Sequence, residues 1–179
     1  MISLKLTLVL IVLCAGIYPL LIAAAGTLAP GGGKGKTISV NGKLVGYELI
    51  GQKFTDDKYF GGRPSAVDYN AAGSAGSNKG PSNPDYLKIV EDRIDSFLVH
   101  NPGIKKDQVP ADLVTASGSG LDPDISPASA YIQVKRIAST RKIAEEKIKS
   151  LVDSHVETSF FAPSKINVLK LNIALDELK

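Results

Sequence analysis

The sequence predicts an α+β protein: a single N-terminal transmembrane helix followed by one mixed α/β extracytoplasmic domain. Three observations carry that reading. They are a long uncharged apolar run at the N-terminus, a strong β-hairpin signal shortly after it, and helical periodicity through the second half of the 179 residues.

Residues 6–28, LTLVLIVLCAGIYPLLIAAAGTL, carry no charge between Lys5 and Lys34. At about 1.5 Å of rise per residue, such a helix reaches roughly 35 Å, enough for about 30 Å of bilayer hydrocarbon. Leu, Ile and Val make up about half of it, and each favours insertion by roughly 0.3–0.6 kcal/mol. A cleaved signal peptide is the rival reading, with Lys5 as its charged end and Ala23-Ala24-Ala25 as its cleavage site. The run exceeds the usual apolar core of about 7–15 residues, so a retained anchor is favoured. Cys14 follows Leu13 deep in the run and reads as a small apolar residue rather than a lipid attachment site. Lys5 on one side and Lys34, Lys36 and Lys43 on the other give no clear charge bias. A short N-terminus stays in the cytoplasm, however, and a long following domain translocates regardless of its charge. The expected layout is a single-pass cell-membrane protein with a cytoplasmic N-terminus. Residues 1–29 form the anchor, 30–37 a flexible linker, and 38–179 the extracytoplasmic domain.

That domain is long enough to bury its own core. Against 18 Asp+Glu the chain has 21 Lys+Arg, not gathered into a stripe, which argues against nucleic acid as a partner. The only cysteine lies in the apolar run, so no disulfide or thiolate metal site is expected in the domain. His100 and His155 are too few to make a metal centre without carboxylate help.

Along the chain, PGGGKGK at 30–36 ends like a phosphate loop, but that motif needs glycine where Pro30 stands, so it reads as linker. In ISVNGKLVGYELIG, Asn41-Gly42 between apolar runs predicts a type I′ hairpin. The alternation of Val45, Tyr47 and Leu49 places that face of the second strand on a core. A further strand is expected over 59–63. Residues 63–84, rich in Gly, Ser, Asn and Pro, exclude a regular helix or central strand; a long loop of this kind is partner-facing or functional. Asn83 caps a helix with Pro84 at its first position and Tyr86, Leu87, Val90, Ile94, Phe97 and Leu98 on one face. It stops at Asn101-Pro102-Gly103, where His100 faces the helix dipole. A short strand is expected over 113–115, then a tight turn at Ser117-Gly118-Ser119-Gly120. Ser126-Pro127 starts a helix through Tyr131, Val134 and Ile137. A second helix is expected over 142–157, and Asn167 caps a last one through Leu178, with a strand over 166–173 as the alternative.

Candidate chemistry is sparse. Ser119 fails the nucleophile-elbow pattern because Ser117 stands where that pattern needs glycine. The turn could instead gather backbone N–H groups into a phosphate nest. Ser77 with Lys79, or Ser119, would be the nucleophiles of a membrane-anchored extracytoplasmic Ser/Lys hydrolase, a pairing that arises often by chance. A tethered or secreted solute-binding protein is a third class.

The glycine-rich stretches carry a resemblance. Tyr18-Pro19, GRPS at 62–65, Tyr69-Asn70, GSN at 76–78 and GPSNP at 80–84 occur in order. They are followed by VPADLVTASGSGLDP at 109–123, ISP at 125–127, Gln133 with Arg136-Ile137-Ala138, and NVLKLNIALD at 167–176. Together they resemble the C subunit of the Kdp potassium-transporting P-type ATPase over nearly the whole chain. Lys135 departs from a proline common in the family, and residues 30–36 are a locally variable linker.

The resemblance implies a non-catalytic subunit of a complex that hydrolyses ATP to import potassium at high affinity. Its partners would be a channel-like A subunit, a P-type pump B subunit and a small F subunit, beside membrane lipid. It further implies a catalytic chaperone that raises the pump's affinity for ATP. No cofactor is expected to bind stably, ATP being engaged through the pump. Direct nucleotide candidates are Ser117, Gly118, Ser119, Gly120 and Gln133, but they would lie across the membrane from cytoplasmic ATP. Partner-facing candidates on the family motifs are Arg63, Pro64, Tyr69, Asn70, Ser77, Asn78, Pro81, Ser82, Asn83, Asp112, Asp122 and Arg136.

Overall fold

The computed structural model describes residues 2–29 and 31–178. Its helical N-terminus, Ile2–Gly26, is 25 residues long, contains an 18-residue window with a mean hydropathy of 2.6, and has no buried residue. It comprises α1 (Ile2–Ile11), a π-helical stretch (Val12–Ile17) and α2 (Tyr18–Gly26). The widening has a local cause. Pro19 lacks an N–H and its ring crowds the carbonyl one turn back, and a wider turn relieves both problems. The Tyr18 N–H accordingly donates to the carbonyl of Leu13, five residues back rather than four.

Strands β1 (Thr37–Val40) and β2 (Lys43–Tyr47) form the expected antiparallel hairpin, pairing Thr37 with Tyr47 and Val40 with Lys43. Asn41 (φ 52°) and Gly42 (φ 76°) supply the two positive φ angles that a type I′ turn needs. The face expected to pack does not. Val45, Tyr47 and Leu49 are 36%, 43% and 68% exposed, whereas Gly46, Glu48 and Ile50 turn inward. Gly46 lies so close to the domain that a Cβ there would stand 3.1 Å from a Leu169 methyl and far inside contact distance of the Gln52 amide. Side chains alternate with a period of two, so a packed face headed by glycine and glutamate leaves its hydrophobic complement outside. Glu48 is held by Lys36 and Lys170, each at 2.6 Å. Hydrogen bonds from Lys170 and then Lys36 keep its carboxyl below the usual range.

Residues 51–83 form turns but no helix or strand. The strand expected over 59–63 is absent for a specific reason: its backbone pairs with side chains. Phe60 is fully buried, with its N–H donating to Asn172 Oδ1 and its carbonyl accepting from Asn172 Nδ2, both at 2.9 Å. Gln133 does the same one residue on, accepting from the Gly61 N–H at 2.8 Å and donating to the Gly61 carbonyl at 3.2 Å.

Helix α3 (Pro84–His100) starts as the sequence predicts, with Asn83 Oδ1 accepting from the Tyr86 N–H at 3.0 Å. Its Val90, Ile94, Phe97 and Leu98 face is half-buried, while Leu87 points to solvent. Two 3₁₀ turns follow, Lys106–Gln108 and Ala111–Leu113. The second replaces the strand expected over 113–115, because the Asp112 carboxylate in that turn pairs with the start of the next helix. That helix breaks in two: α4 (Pro127–Tyr131), capped by Ser126, and α5 (Val134–Arg141). Lys142, where a second helix was expected to begin, ends α5 in the left-handed conformation (φ 57°). Helix α6 then spans Glu145–Ser154.

Beyond it, β4 (Glu157–Ser159) and β5 (Ala162–Asn167) form a hairpin, and β3 (Asp124–Ile125) pairs with the other edge of β5, all antiparallel in the order β3-β5-β4. Asn167 ends β5 and caps α7 (Val168–Glu177), its Oδ1 accepting from the Lys170 N–H at 3.0 Å. The core gathers Phe60, Ile125, Val134, Ile137, Ile148, Val152, Ile166, Leu171 and Leu175 from the helices, β3, β5 and the irregular stretch.

Replacing Asn172 by Leu removes both partners of Phe60 while keeping the volume. Each orphaned buried group costs about 1–3 kcal/mol, so unfolding free energy should fall by roughly 2–5 kcal/mol. A thermal-unfolding midpoint lowered by roughly 5–15 °C checks this; an unchanged midpoint contradicts it.

Candidate functional site

The two glycine-rich stretches, far apart in sequence, lie against one another. The Ser117 N–H donates to the Pro64 carbonyl at 3.3 Å, and Ser74 Oγ donates to the Ser119 carbonyl at 2.9 Å. Arg63 Nη1 reaches Asp122 Oδ2 at 3.0 Å, both side chains half-buried, and Asp122 Oδ1 accepts from the Asp124 N–H at 3.0 Å. Tyr69 donates its hydroxyl to the Arg63 carbonyl, and burial raises its pKa above the ordinary phenol value. Ser65 Oγ accepts from the Tyr69 N–H at 2.8 Å, which holds the Asp68-Tyr69 pair in left-handed backbone. Two backbone ridges touch at the glycines. A Cβ on Gly76 would stand 2.9 Å from the Gly118 carbonyl oxygen, and one on Gly120 only 2.7 Å from the Ala75 oxygen and a Val67 methyl. Gly120 also has φ +68°.

This contact brings together Arg63, Pro64, Tyr69, Asp122 and the 117–120 turn. The other candidates stand apart from it or at its margin. Asp112 accepts from the Ser126 N–H at 2.7 Å and from Ser129 Oγ at 2.5 Å. Burial works to raise its pKa, but those hydrogen bonds outweigh it and hold the carboxyl below the usual value. Asn70 Oδ1 accepts from the Ala72 N–H at 3.1 Å. Ser77 is half-buried; Asn78, in left-handed backbone, is exposed, as are Pro81 and Ser82, and Asn83 caps α3.

Gln133 and Arg136 form a second cluster. Gln133 accepts from Arg136 Nη2 at 2.8 Å in addition to its pairing with Gly61, and donates to the Ser129 carbonyl at 2.9 Å. Arg136 donates to the carbonyls of Asp57 and Tyr59 and, through Nε at 3.0 Å, to Asn101 Oδ1. Cavities of about 370 and 260 Å³ flank this cluster and share Asp57, His100, Asn101 and Arg136. Phe54, Tyr59 and Phe97 line the larger one. Across it His100 Nδ1 meets Asp57 Oδ1 at 2.9 Å, a partner for the helix-end histidine that spacing alone does not reveal. Asp57 and Asn101 carry no family-motif signal, and Asn172, although inside the 167–176 motif, is not singled out by it, since each acts by filling a backbone or guanidinium valence contributed from elsewhere in the sequence.

The chemistry open to these groups is limited. In the 117–121 turn the N–H groups of Ser117, Gly120 and Leu121 already donate within the protein, the last to Ser119 Oγ at 3.1 Å. Both ends of the Gln133 amide are occupied. Ser77 and Lys79 share no hydrogen bond among the described residues, nor is there a cluster of three or more His, Cys, Asp or Glu able to hold a metal. The glycine contact instead makes a sharp prediction. Gly120→Ala should destabilise the protein by about 2–4 kcal/mol through strain and overlap, whereas Gly118→Ala, with open space at its Cβ, should stay within about 0.5 kcal/mol. Chemical denaturation of the two variants checks this, and equal effects would contradict the interlock.

Comparison with known proteins places the chain. A family model described as "K+-transporting ATPase, c chain" matches residues 1–177. The potassium-transporting ATPase KdpC subunit of Flavobacterium johnsoniae is 62% identical, with 98% of this chain and 96% of that protein aligned. The subunits of the same name from Bacteroides fragilis and Caldanaerobacter subterraneus are 51% and 50% identical, with 99% of this chain aligned to 96% and 94% of theirs. A match of this extent, running from the apolar helix through the last helix of the domain, shows that the chain belongs to the K+-transporting ATPase c chain family, that of the KdpC subunit.

Proposed function

We propose that this chain is the non-catalytic accessory subunit of an ATP-driven potassium-import complex. It holds the assembly together and biases the pump toward its ATP-bound state. The observation that carries the reading is full-length membership of the c chain family in a protein whose distinctive loops are engaged with one another. The groups that would make a hydrolase or a nucleotide site are already hydrogen-bonded or lie apart.

In this reading Ile2–Gly26 crosses the membrane with the N-terminus in the cytoplasm, and the domain lies outside as one body. The partners are a channel-like A subunit, a P-type pump B subunit and a small F subunit. Residues that the fold leaves accessible, Asn78, Pro81 and Ser82 on the long loop, are the surface offered to them. ATP is bound by the pump on the far side of the bilayer, so the effect on ATP affinity passes through protein contacts. A coupling between distant sites is typically about 1–3 kcal/mol, which corresponds to roughly 5–150-fold in affinity.

The test compares complexes purified with and without this chain. Omitting it should raise the apparent KM for ATP of potassium-stimulated hydrolysis by a factor within that 5–150-fold range. Protease added to cells whose cytoplasmic membrane is accessible but unbroken should digest the domain. An unchanged KM, or a domain digested only once the cytoplasmic membrane is broken, would overturn the proposal.

A further inference from the structure

The widened turn accommodates Pro19, but it leaves one backbone acceptor of the N-terminal helix over. In a regular α-helix the Cys14 carbonyl accepts from the N–H of Tyr18, four residues on. Here that N–H donates to Leu13 instead. The donor five residues on would belong to position 19, a proline, which has no N–H. Side chains do not make up the loss. The hydroxyls of Thr7 and Thr27, near the two ends of the helix, donate to the carbonyls of Ser3 at 2.9 Å and Ala24 at 2.7 Å.

The depth of this group gives it weight. Cys14 is the central residue of the 25-residue helix Ile2–Gly26, which in a bilayer puts its carbonyl about 15 Å from either edge of the hydrocarbon. Neither water nor a lipid tail supplies a donor there. A second polar group lies on the same face. Tyr18 stands one turn on, about 6 Å further along the helix. It is 63% exposed, and its hydroxyl makes no hydrogen bond among the described residues. Cys14, Ala15 and Gly16 cover the backbone thinly at this level, and a Cβ on Gly16 would meet nothing within 4 Å. Small residues are what let a second membrane helix come close.

We propose that the Cys14 carbonyl and the Tyr18 hydroxyl form a docking point, at the middle of the bilayer, for a transmembrane helix of another subunit. That helix carries a hydroxyl or carboxamide side chain, which donates to the carbonyl and pairs with the phenol one turn away. Phospholipid cannot take its place, because the headgroups stay at the membrane surfaces. A second copy of this chain fits less well: two-fold packing through this face sets Tyr18 against Tyr18 and holds the backbones apart. This rests on the accessory-subunit reading above and deepens it, since it names where the membrane helix meets its partner.

Cys14 is the chain's only cysteine, so cysteine labelled with carbon-13 at its carboxyl carbon marks this one carbonyl for infrared spectroscopy. The full-length chain is compared alone in phosphatidylethanolamine–phosphatidylglycerol vesicles and assembled there with the other subunits, unlabelled. The expected result is a labelled band at the high wavenumber of an unbonded carbonyl in the lone chain, moving lower on assembly. Pro19→Ala returns an N–H to the helix and should show the low band without any partner. In competition with the wild type for complexes lacking this subunit, it should bind about 3–20-fold more weakly, as the loss of one interhelical hydrogen bond implies. A band unmoved by assembly, in chains that float with the vesicles and co-purify with the other subunits, would overturn the docking point alone. So would a band already low in the dilute lone wild-type chain, because water or a second copy would then be the donor. Chains that fail to float or to co-purify would instead overturn the function proposed above, and the docking point with it.

Discussion

Residues 57–61 run against α5 and α7 without helix or strand bonding of their own, and their backbone groups still need partners there. They find them in side chains. Asn172 pairs both polar groups of Phe60, and Gln133 pairs both of Gly61. Arg136 takes the carbonyls of Asp57 and Tyr59, and Arg141 takes that of Lys58 at 2.7 Å. The Arg141 guanidinium also lies 4.9 Å from the centroid of the Tyr59 ring and pairs with Asp176 at 2.6 Å. A buried orphan backbone group costs about 1–3 kcal/mol, and a domain's whole stability is about 5–15 kcal/mol. A handful of these bonds therefore decides whether the irregular segment is part of the fold at all.

That constraint shapes what the protein can do. Polar side chains grouped near a cleft usually suggest a ligand site, and Gln133 with Arg136 sits between two cavities. Here their valences are filled by the chain itself. In the glycine-rich turn that resembles a phosphate nest, the Ser117 N–H donates to the facing loop, and those of Gly120 and Leu121 donate within the turn. What remains is a shaped body with long ordered loops behind a helix long and apolar enough to span a membrane, the form that the accessory-subunit role proposed above requires. The same logic explains the tolerance for an exposed hairpin face: the hairpin is fixed through Glu48 and the inward Gly46, not through its hydrophobic side.

Caps and turns were legible in the sequence because their chemistry is local. Asn83, Ser126 and Asn167 each cap the helix expected of them, and Asn41-Gly42 turns as its φ requirement dictates. Two of the errors come from a partner outside the segment itself. Residues 59–63 look like a strand, but their bonds go to helices more than seventy positions away. Val45, Tyr47 and Leu49 alternate as a core face should, yet the inward face is set by the approach of Leu169 and Gln52 to Gly46. The β4–β5 hairpin was hidden because its turn is Phe-Phe, the reverse of a turn signal. Among the site residues, the family motifs marked both glycine-rich stretches, but no spacing could show that they touch one another.

The account stands or falls on the side-chain amides that bind the irregular segment. Residue-resolved hydrogen exchange of the full-length protein in lipid tests them directly, by comparing the Phe60 and Gly61 amides with those of Leu171 in α7. The fold described here predicts protection of the same order, since all three are released only when the domain opens. Exchange of Phe60 and Gly61 at the rate of an open loop, with α7 still protected, would contradict it.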